Sequence, residues 1–192
     1  MKNPAVHDVQ PVFRLRWSPY SYDRDRPVST PDLESLFEAA RWAMSSFNAQ
    51  PWRYVVGVRG RSDETWLGVF DTLVEANRRW ARIAPVLALG LAELDFEHNG
   101  KPNRHAAHDL GAASASLALE AAARGLAVHQ MGGFSVDRAR DVFDLPEGIE
   151  PYTAIAIGYP AGPGQGDEEL VKRDRGERRR KPLEEFVIRG GL

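Results

Sequence analysis

The sequence predicts an α+β fold in a single domain spanning residues 1–192. Segments with apolar residues at helical spacing alternate along the chain with short β-branched runs bounded by glycine or proline. Several of those runs can pair antiparallel, which separates the pattern from a strict β-α-β alternation. Hydrophobic residues make up 43% of the chain against 27% charged, with five Trp and eight Phe, a composition that folds round a core. A chain of 192 residues buries roughly 70% of its unfolded surface. No internal repeat is present.

Ser29-Thr30-Pro31-Asp32 is a cap-plus-proline start, and Leu33, Leu36, Phe37, Ala40 and Ala43 follow at helical spacing, so a helix is expected to about Met44. A polar, proline-broken loop from Ser45 to Trp52 leads to a strand over Arg53 to Val58. Trp66, Phe70, Leu73, Val74 and Asn77 lie on one stripe of a helix predicted from Asp63 to about Arg82. An amide on that face needs a partner. Ile83 to Leu94 is a buried strand and Glu93 to Asn103 a loop. Asp109 to Arg124, rich in Ala and Leu and followed by Gly125, is a central helix buried on most faces. Leu126 to Met131 is a strand, Gly132-Gly133 a tight turn, and Ser135 the cap of a short helix ending before Pro146. Tyr152 to Tyr159 is a further buried strand. Pro160 to Gly166 is an extended connection, Asp167 to Lys181 a charged arm, and Glu185 to Arg189 a candidate edge strand.

The formal net charge of −2 argues against a general nucleic-acid binder. The absence of cysteine removes disulfides, thiolate catalysis and Cys-ligated metal sites, so redox chemistry would need a cofactor. His105 and His108 are three apart with Asp109 beside them, but no third metal ligand is marked, and no metal is expected. The opening MKNPAVHDVQPVF lacks the n-region and h-region of a signal peptide, and no apolar run reaches membrane-span length. The expected compartment is the cytoplasm, with no membrane partner.

Three dispersed segments carry a resemblance. Ala39-Ala40-Arg41-Trp42-Ala43-Met44-Ser45-Ser46-Phe47-Asn48-Ala49-Gln50-Pro51-Trp52-Arg53 resembles the nitroreductase signature of a helix end, a serine-rich loop and N-x-Q-P-W before a strand. Met44 stands where that family usually has proline. Val128 to Phe134 with Gly158-Tyr159-Pro160, and the basic run Arg178-Arg179-Arg180-Lys181-Pro182-Leu183, are similar to two further family segments. The resemblance implies a mainly antiparallel sheet flanked by helices and an intertwined homodimer with two FMN sites at the interface. It also implies FMN-dependent transfer of reducing equivalents from NADH or NADPH to a small electron-poor acceptor, such as a nitroaromatic or quinone, in ping-pong fashion. The Pro/Gly-rich exit at 160–166 suits a C-terminal arm, 160–192, that reaches over a partner subunit.

The resemblance also assigns residues. Arg16 and Ser18 match an N-terminal Arg-x-Ser pattern and, with Arg178 and Arg180, would hold the FMN phosphate through forked, charge-assisted hydrogen bonds. Trp17 and Tyr20 belong to the same N-terminal motif. Ser45, Ser46 and Asn48 would reach the flavin oxygens, and Asn77 would face the pyrimidine edge. Met131, Gly132 and Gly133 form the turn whose backbone approaches the ring, an approach that glycine permits. Phe47, Trp80 and Phe134 are candidates to wall the acceptor pocket, and Trp52 is a further aromatic that could pack there or in the core. No catalytic acid, base or nucleophile is marked, in keeping with chemistry carried by the cofactor.

Two departures bear on mechanism. The motif reads Arg16-Trp17-Ser18-Pro19-Tyr20 where relatives commonly place a second basic residue, and Trp80 stands where some carry lysine. A cation that would favour negative charge on the reduced ring is missing; Arg78, Arg79 or Arg82 is the expected replacement. Two alternatives stay open: a branch acting on aldehydes, halogenated aromatics or reduced flavin, and a flavin-binding module without turnover.

Overall fold

The computed structural model describes residues 3–162, 165 and 167–190. Four strands, β1 (Trp52–Val58), β2 (Val86–Glu93), β3 (Ala127–Met131) and β4 (Ile149–Gly158), form one antiparallel sheet in the order β1-β2-β4-β3. The two central strands read as near-continuous apolar runs because both of their faces are covered. Along β2, Val86, Ala88 and Ala92 point to one side and Leu87, Leu89 and Leu91 to the other, the period-two alternation of a pleated strand. A register shift at Gly90–Leu91 leaves Tyr152 of β4 without a partner in the ladder.

Each face packs its own helices. On one lie α2 (Thr30–Arg41), through Leu33, Leu36 and Ala40, and the long α5 (Ala106–Ala123), through Leu110, Ala113, Leu117 and Ala121. On the other lie α3 (Asp63–Thr72), α4 (Glu75–Ala81) and α6 (Val136–Phe143), through Trp66, Val69, Trp80, Ala81 and Ala139. Burying any one of the large side chains contributes roughly 1.5–3 kcal/mol.

Three helix ends follow their sequence signals closely. Ser29 Oγ accepts from the Asp32 amide at 3.1 Å, and Ser135 Oγ from the Arg138 amide at 3.2 Å. After α5, Gly125 adopts φ +75° and the Leu126 amide reaches back to the Ala121 carbonyl at 2.8 Å, a Schellman-type ending.

Three expectations are corrected. The single helix from Asp63 to Arg82 is broken: Leu73 and Val74 are extended, with ψ of 142° and 154°. Their backbone is taken by the segment after β3, where the Val74 amide donates to the Gly133 carbonyl at 3.1 Å and the Ser135 amide to Thr72 at 2.8 Å. The charged arm contains a helix, α7 (Glu168–Asp174), whose first amides are capped by the Asp167 carboxylate. Glu185–Arg189 forms no strand; Leu183–Glu185 is a 3₁₀ turn, and the Phe186 and Val187 amides bond locally to the Leu183 carbonyl. One further helix, α1 (Pro11–Leu15), has no counterpart in the sequence expectations. Of the connection 160–166, residues 163, 164 and 166 lie outside the described residues.

Candidate functional site

The C-terminal arm folds against the chain's own N-terminal segment. Asp174, ending α7, accepts from the Tyr20 amide at 2.8 Å and the Ser21 amide at 2.9 Å. Four residues on, the Arg178 guanidinium lies 4.6 Å over the Trp17 ring and donates Nη1–H to Asn3 Oδ1 at 2.8 Å. These contacts bring Arg178 and Arg180 to Arg16, which ends α1 and donates to Ser18 Oγ at 3.3 Å. All three arginines line one cavity of about 810 Å³, together with Asn3, Phe13 and Leu183.

Like charges crowd there. Burial, then the Arg180 charge, lowers the Arg16 pKa. Burial, then Arg16, lowers that of Arg178, with Asp174 opposing and Arg180 adding to the effect. Arg178 Nη2 is buried and has no hydrogen-bond partner. A buried, unpaired charged donor is costly unless something satisfies it. Positive charge, forked donors and an orphan N–H are the donor set for a phosphate or similar dianion.

Beside this cradle the α3–α4 break and the β3–α6 turn meet. Asn77 Nδ2 donates to the Gly133 carbonyl at 2.9 Å, and Asn77 Oδ1 accepts from Trp80 Nε1 at 3.3 Å. A Cβ on Gly133 would come within 2.7 Å of Asn77 Nδ2, whereas one on Gly132 would meet nothing within 4 Å. Close approach, not a left-handed backbone, therefore requires glycine at 133. Trp80 stacks on His129 at 4.5 Å between centroids, and the Tyr20 ring meets both edge-on, at 5.2 Å and 4.8 Å. His129 donates Nδ1–H to the Pro19 carbonyl at 2.8 Å, and burial holds its pKa below the ordinary imidazole value. Arg173 lies 3.6 Å over the Tyr20 ring and donates to its hydroxyl at 2.7 Å.

The serine loop lies elsewhere. The Ser46 amide donates to the buried Asp109 carboxylate at 2.9 Å, in the first turn of α5, and the Gln50 amide to Ser45 Oγ at 3.0 Å. Phe47, Asn48 and Gln50 all have φ near +50°, a strained conformation for residues with a Cβ. Phe47 is 85% exposed, edge-on to Phe96 at 5.9 Å. This loop precedes β1 on the α2–α5 face, while Asn77 and Gly133 belong to the opposite face and the β3 edge. Three strand spacings of roughly 4.8 Å separate the two edges. One chain does not bring the two groups together.

Of the residues named from sequence, Arg16, Trp17, Ser18, Arg178 and Arg180 meet at the cradle; Tyr20 is tied to the arm through Asp174 and leads through Trp80 to Asn77 and the Gly132-Gly133 turn; Ser45, Ser46 and Asn48 are apart. Met131 buries its side chain in the core, leaving its backbone to face the turn. Trp80, expected to wall a pocket, is only 2% exposed and is core, held between Tyr20 and His129. Trp52 is buried against α2 and α5. Phe134 is half-buried, bridged to Leu73. Arg78 is engaged by the Leu73 carbonyl and by Asp71, and Arg79 by Glu75; Arg82 lines a cavity with Asp23, Asp25 and Asp167. His105 and His108 do not converge: the first accepts from Arg104 Nε at 3.3 Å and the second lies 3.0 Å from Asp109.

Arg173, Asp174, Asn3 and His129 were not foreseen. A signal existed for α7: Asp167, then Glu168 and Glu169, with Lys172 and Arg173 four residues later, is the charge order of a capped helix. Nothing local pointed Asp174 at Tyr20.

Fold and site together define an antiparallel α+β sheet protein with a basic cradle and a tightly packed glycine turn. The nitroreductase family model matches residues 14–81 and 59–159, and the chain belongs to that family. It is 35% identical over 144 residues to an uncharacterized 15.4 kDa protein of Mycolicibacterium smegmatis, covering 72% of this chain and 95% of that one. It is 28% identical to a Methanothermobacter thermautotrophicus protein with the provisional name NADH dehydrogenase/NAD(P)H nitroreductase, covering 88% and 85%. Among solved structures, one described as an oxidoreductase containing FMN superposes with a TM-score of 0.88 at 31% identity, covering 99% of this chain and 96% of the other.

Proposed function

We propose that the protein is an FMN-dependent oxidoreductase that takes reducing equivalents from NADH or NADPH and passes them to a nitroaromatic, quinone or similar small electron-poor acceptor. The observation that carries this reading is the convergence of Arg16, Arg178 and Arg180 around the unsatisfied Arg178 Nη2. When bound, FMN supplies reversible two-electron chemistry, accepting hydride and returning electrons to the acceptor. The chain supplies binding and orientation. Arg16, Arg178 and Arg180, with the Ser18 hydroxyl, would hold the phosphate, and Trp17 keeps Arg178 in place from beneath. Asn77, with one amide hydrogen committed to Gly133, retains a second for the ring's polar edge. Gly132 and Gly133 let backbone approach the ring plane, with Met131 leading into the turn. Donor and acceptor would use one exposed face in turn, which is ping-pong exchange and asks for no proton-transfer triad.

The working unit on this reading is a homodimer. Ser45, Ser46 and Asn48 would reach the cofactor held by the other copy, because within one chain they lie on the wrong face and edge of the sheet. Trp42, Met44 and Phe47 at the end of α2 and in the serine loop are 76%, 74% and 85% exposed, an apolar surface suited to a second copy. Phe47 and Phe134 would then flank the acceptor from different chains. Residues 1–192 act as one domain with the arm 160–192 as part of the site. Among the described residues no helix is long and apolar enough to cross a membrane.

The test is the visible spectrum of the purified protein, followed by anaerobic addition of each nicotinamide and then of nitroaromatic, quinone and aldehyde acceptors. Flavin absorbance bleached by a nicotinamide and restored by an acceptor supports the reading. A colourless protein that takes up no added FMN overturns it.

A further inference from the structure

The chain lacks the expected cation in its N-terminal motif, and the three arginines that could replace it from sequence are occupied or remote. Arg78 is held by Asp71 and the Leu73 carbonyl, Arg79 by Glu75, and Arg82 lines a separate cavity whose charged residues are Asp23, Asp25, Asp167, Arg24 and Arg79. A different arginine stands at the site. Arg173 stacks 3.6 Å over Tyr20 and donates Nη2–H to the Tyr20 hydroxyl at 2.7 Å. No carboxylate of the described residues makes a direct ion pair with it, although the charge of the neighbouring Asp174 carboxylate is felt there. An arginine only donates, so Tyr20 Oη is the acceptor in that bond and its own proton remains free to donate onward. Tyr20 in turn touches Trp80, whose indole N–H meets Asn77, whose amide holds the Gly133 carbonyl. Arg173, Tyr20, Trp80, Asn77 and Gly133 thus form one contiguous series of contacts, of which Tyr20 lies four residues along the chain from Arg16 of the phosphate cradle.

We propose that Arg173, acting through the Tyr20 hydroxyl, is the positive charge that this protein sets against its reduced cofactor. Hydride delivery brings two electrons and one proton, leaving one net negative charge to be accommodated. A phenol whose oxygen is bonded to a guanidinium is a stronger donor than a free one, and it carries the charge of Arg173 to the polar edge of the ring. Arg173 is a positioning and electrostatic residue here, and Tyr20 is the group that would face the cofactor. Backing a phenol with an arginine on the C-terminal arm makes the tuning depend on the arm being docked, because Asp174 and Arg173 are neighbours clasping the same residue.

This inference rests on the FMN reading, and the test separates the two. FMN-loaded wild type, Arg173→Gln, Arg173→Lys, Tyr20→Phe and Arg79→Gln are compared for affinity toward oxidised FMN by fluorescence quenching and for midpoint potential by anaerobic titration against a reference dye. Arg173→Gln and Tyr20→Phe are expected to lose about tenfold of the preference for the reduced cofactor, a fall of about 30 mV for a two-electron couple. Their double variant falls no further than either single one, since they act as one unit. Arg173→Lys keeps most of the wild-type potential, and Arg79→Gln keeps all of it. A wild-type potential in Arg173→Gln, or equal weakening toward oxidised and reduced FMN, overturns the assignment while FMN binding stands. Wild type that takes up no FMN overturns the cofactor reading and this assignment with it.

Discussion

The carboxylate of Asp174 accepts hydrogen bonds from the Tyr20 and Ser21 amides at 2.8 and 2.9 Å, clasping the C-terminal arm to the N-terminal motif 153 to 154 residues earlier. The clasp sets the position of Arg173 and Arg178 together. Asp174→Ala leaves two half-buried amides without an acceptor, which costs about 1–3 kcal/mol. The expected outcome is a lower urea midpoint and at least a roughly tenfold loss of FMN affinity. Unchanged FMN binding in a destabilised variant would show that the arm stays docked by other contacts.

Arg178→Gln separates binding from folding. It removes a charge-assisted donor worth about 1.5–3 kcal/mol toward a phosphate, so FMN binding should weaken roughly ten- to a hundredfold. The same change relieves crowding with Arg16 and Arg180 and abolishes the orphan Nη2, so the FMN-free protein should change stability by less than about 1 kcal/mol. Isothermal titration with FMN and urea melts of the free protein give the two numbers.

Adjacent glycines should respond differently. Gly133→Ala places a methyl 2.7 Å from Asn77 Nδ2 and 3.0 Å from Val74, so the Asn77–Gly133 bond must break or the α3–α4 corner must shift, at about 1–3 kcal/mol. Gly132→Ala meets nothing and should fold within about 0.5 kcal/mol of wild type. Thermal melts of both variants test the contrast.

His129 predicts a pH dependence. Burial lowers its pKa in the folded protein below the ordinary 6.5, with the Arg173 and Arg16 charges adding and the Pro19 bond and Asp174 opposing. The unfolded chain therefore binds more protons between the folded value and 6.5, and stability rises with pH across that window. Acidification from 6.5 downward should cost wild type stability, because the unfolded His129 takes up a proton that the folded one resists; His129→Gln should show a flatter profile. Melting temperatures from pH 7.5 down to about 5 provide the check. An identical slope in both proteins would assign the effect to other groups.

The dimer reading predicts complementation. Arg178→Gln disables the cradle, and a Ser45→Ala, Ser46→Ala pair disables the loop, so each homodimer should bind FMN poorly. In mixed dimers both lesions fall on one site and the other is intact. Co-expressed chains should therefore recover one intact site of the two in each mixed dimer, measured as flavin absorbance per protein. No recovery would overturn the dimer reading.

Much of this protein was legible in the order of its residues. Alternating Leu87, Ala88 and Leu89 define a strand wanted by two layers, Ser29 and Ser135 mark helix starts, and Gly125 marks a helix end, because caps and pleats depend on neighbours within a few positions. The paired arginines at 178 and 180 also stood out. What local pattern could not settle was competition for the backbone. The stripe through Leu73 and Val74 suits one long helix, but their backbone groups found partners in a turn 60 residues on, and the helix broke there. The missing cation shows the same limit. Arg78, Arg79 and Arg82 are nearest to Asn77 along the chain, yet Arg173 is the one over Tyr20, because the arm folds back and burial of Asp174 against two amides fixes where it lands. Helix spacing, turn chemistry and charge were decided by the sequence alone. Which distant groups satisfy one another, and hence the assembled site, was decided only by the tertiary structure, since hydrogen bonds and charges act through space rather than along the chain.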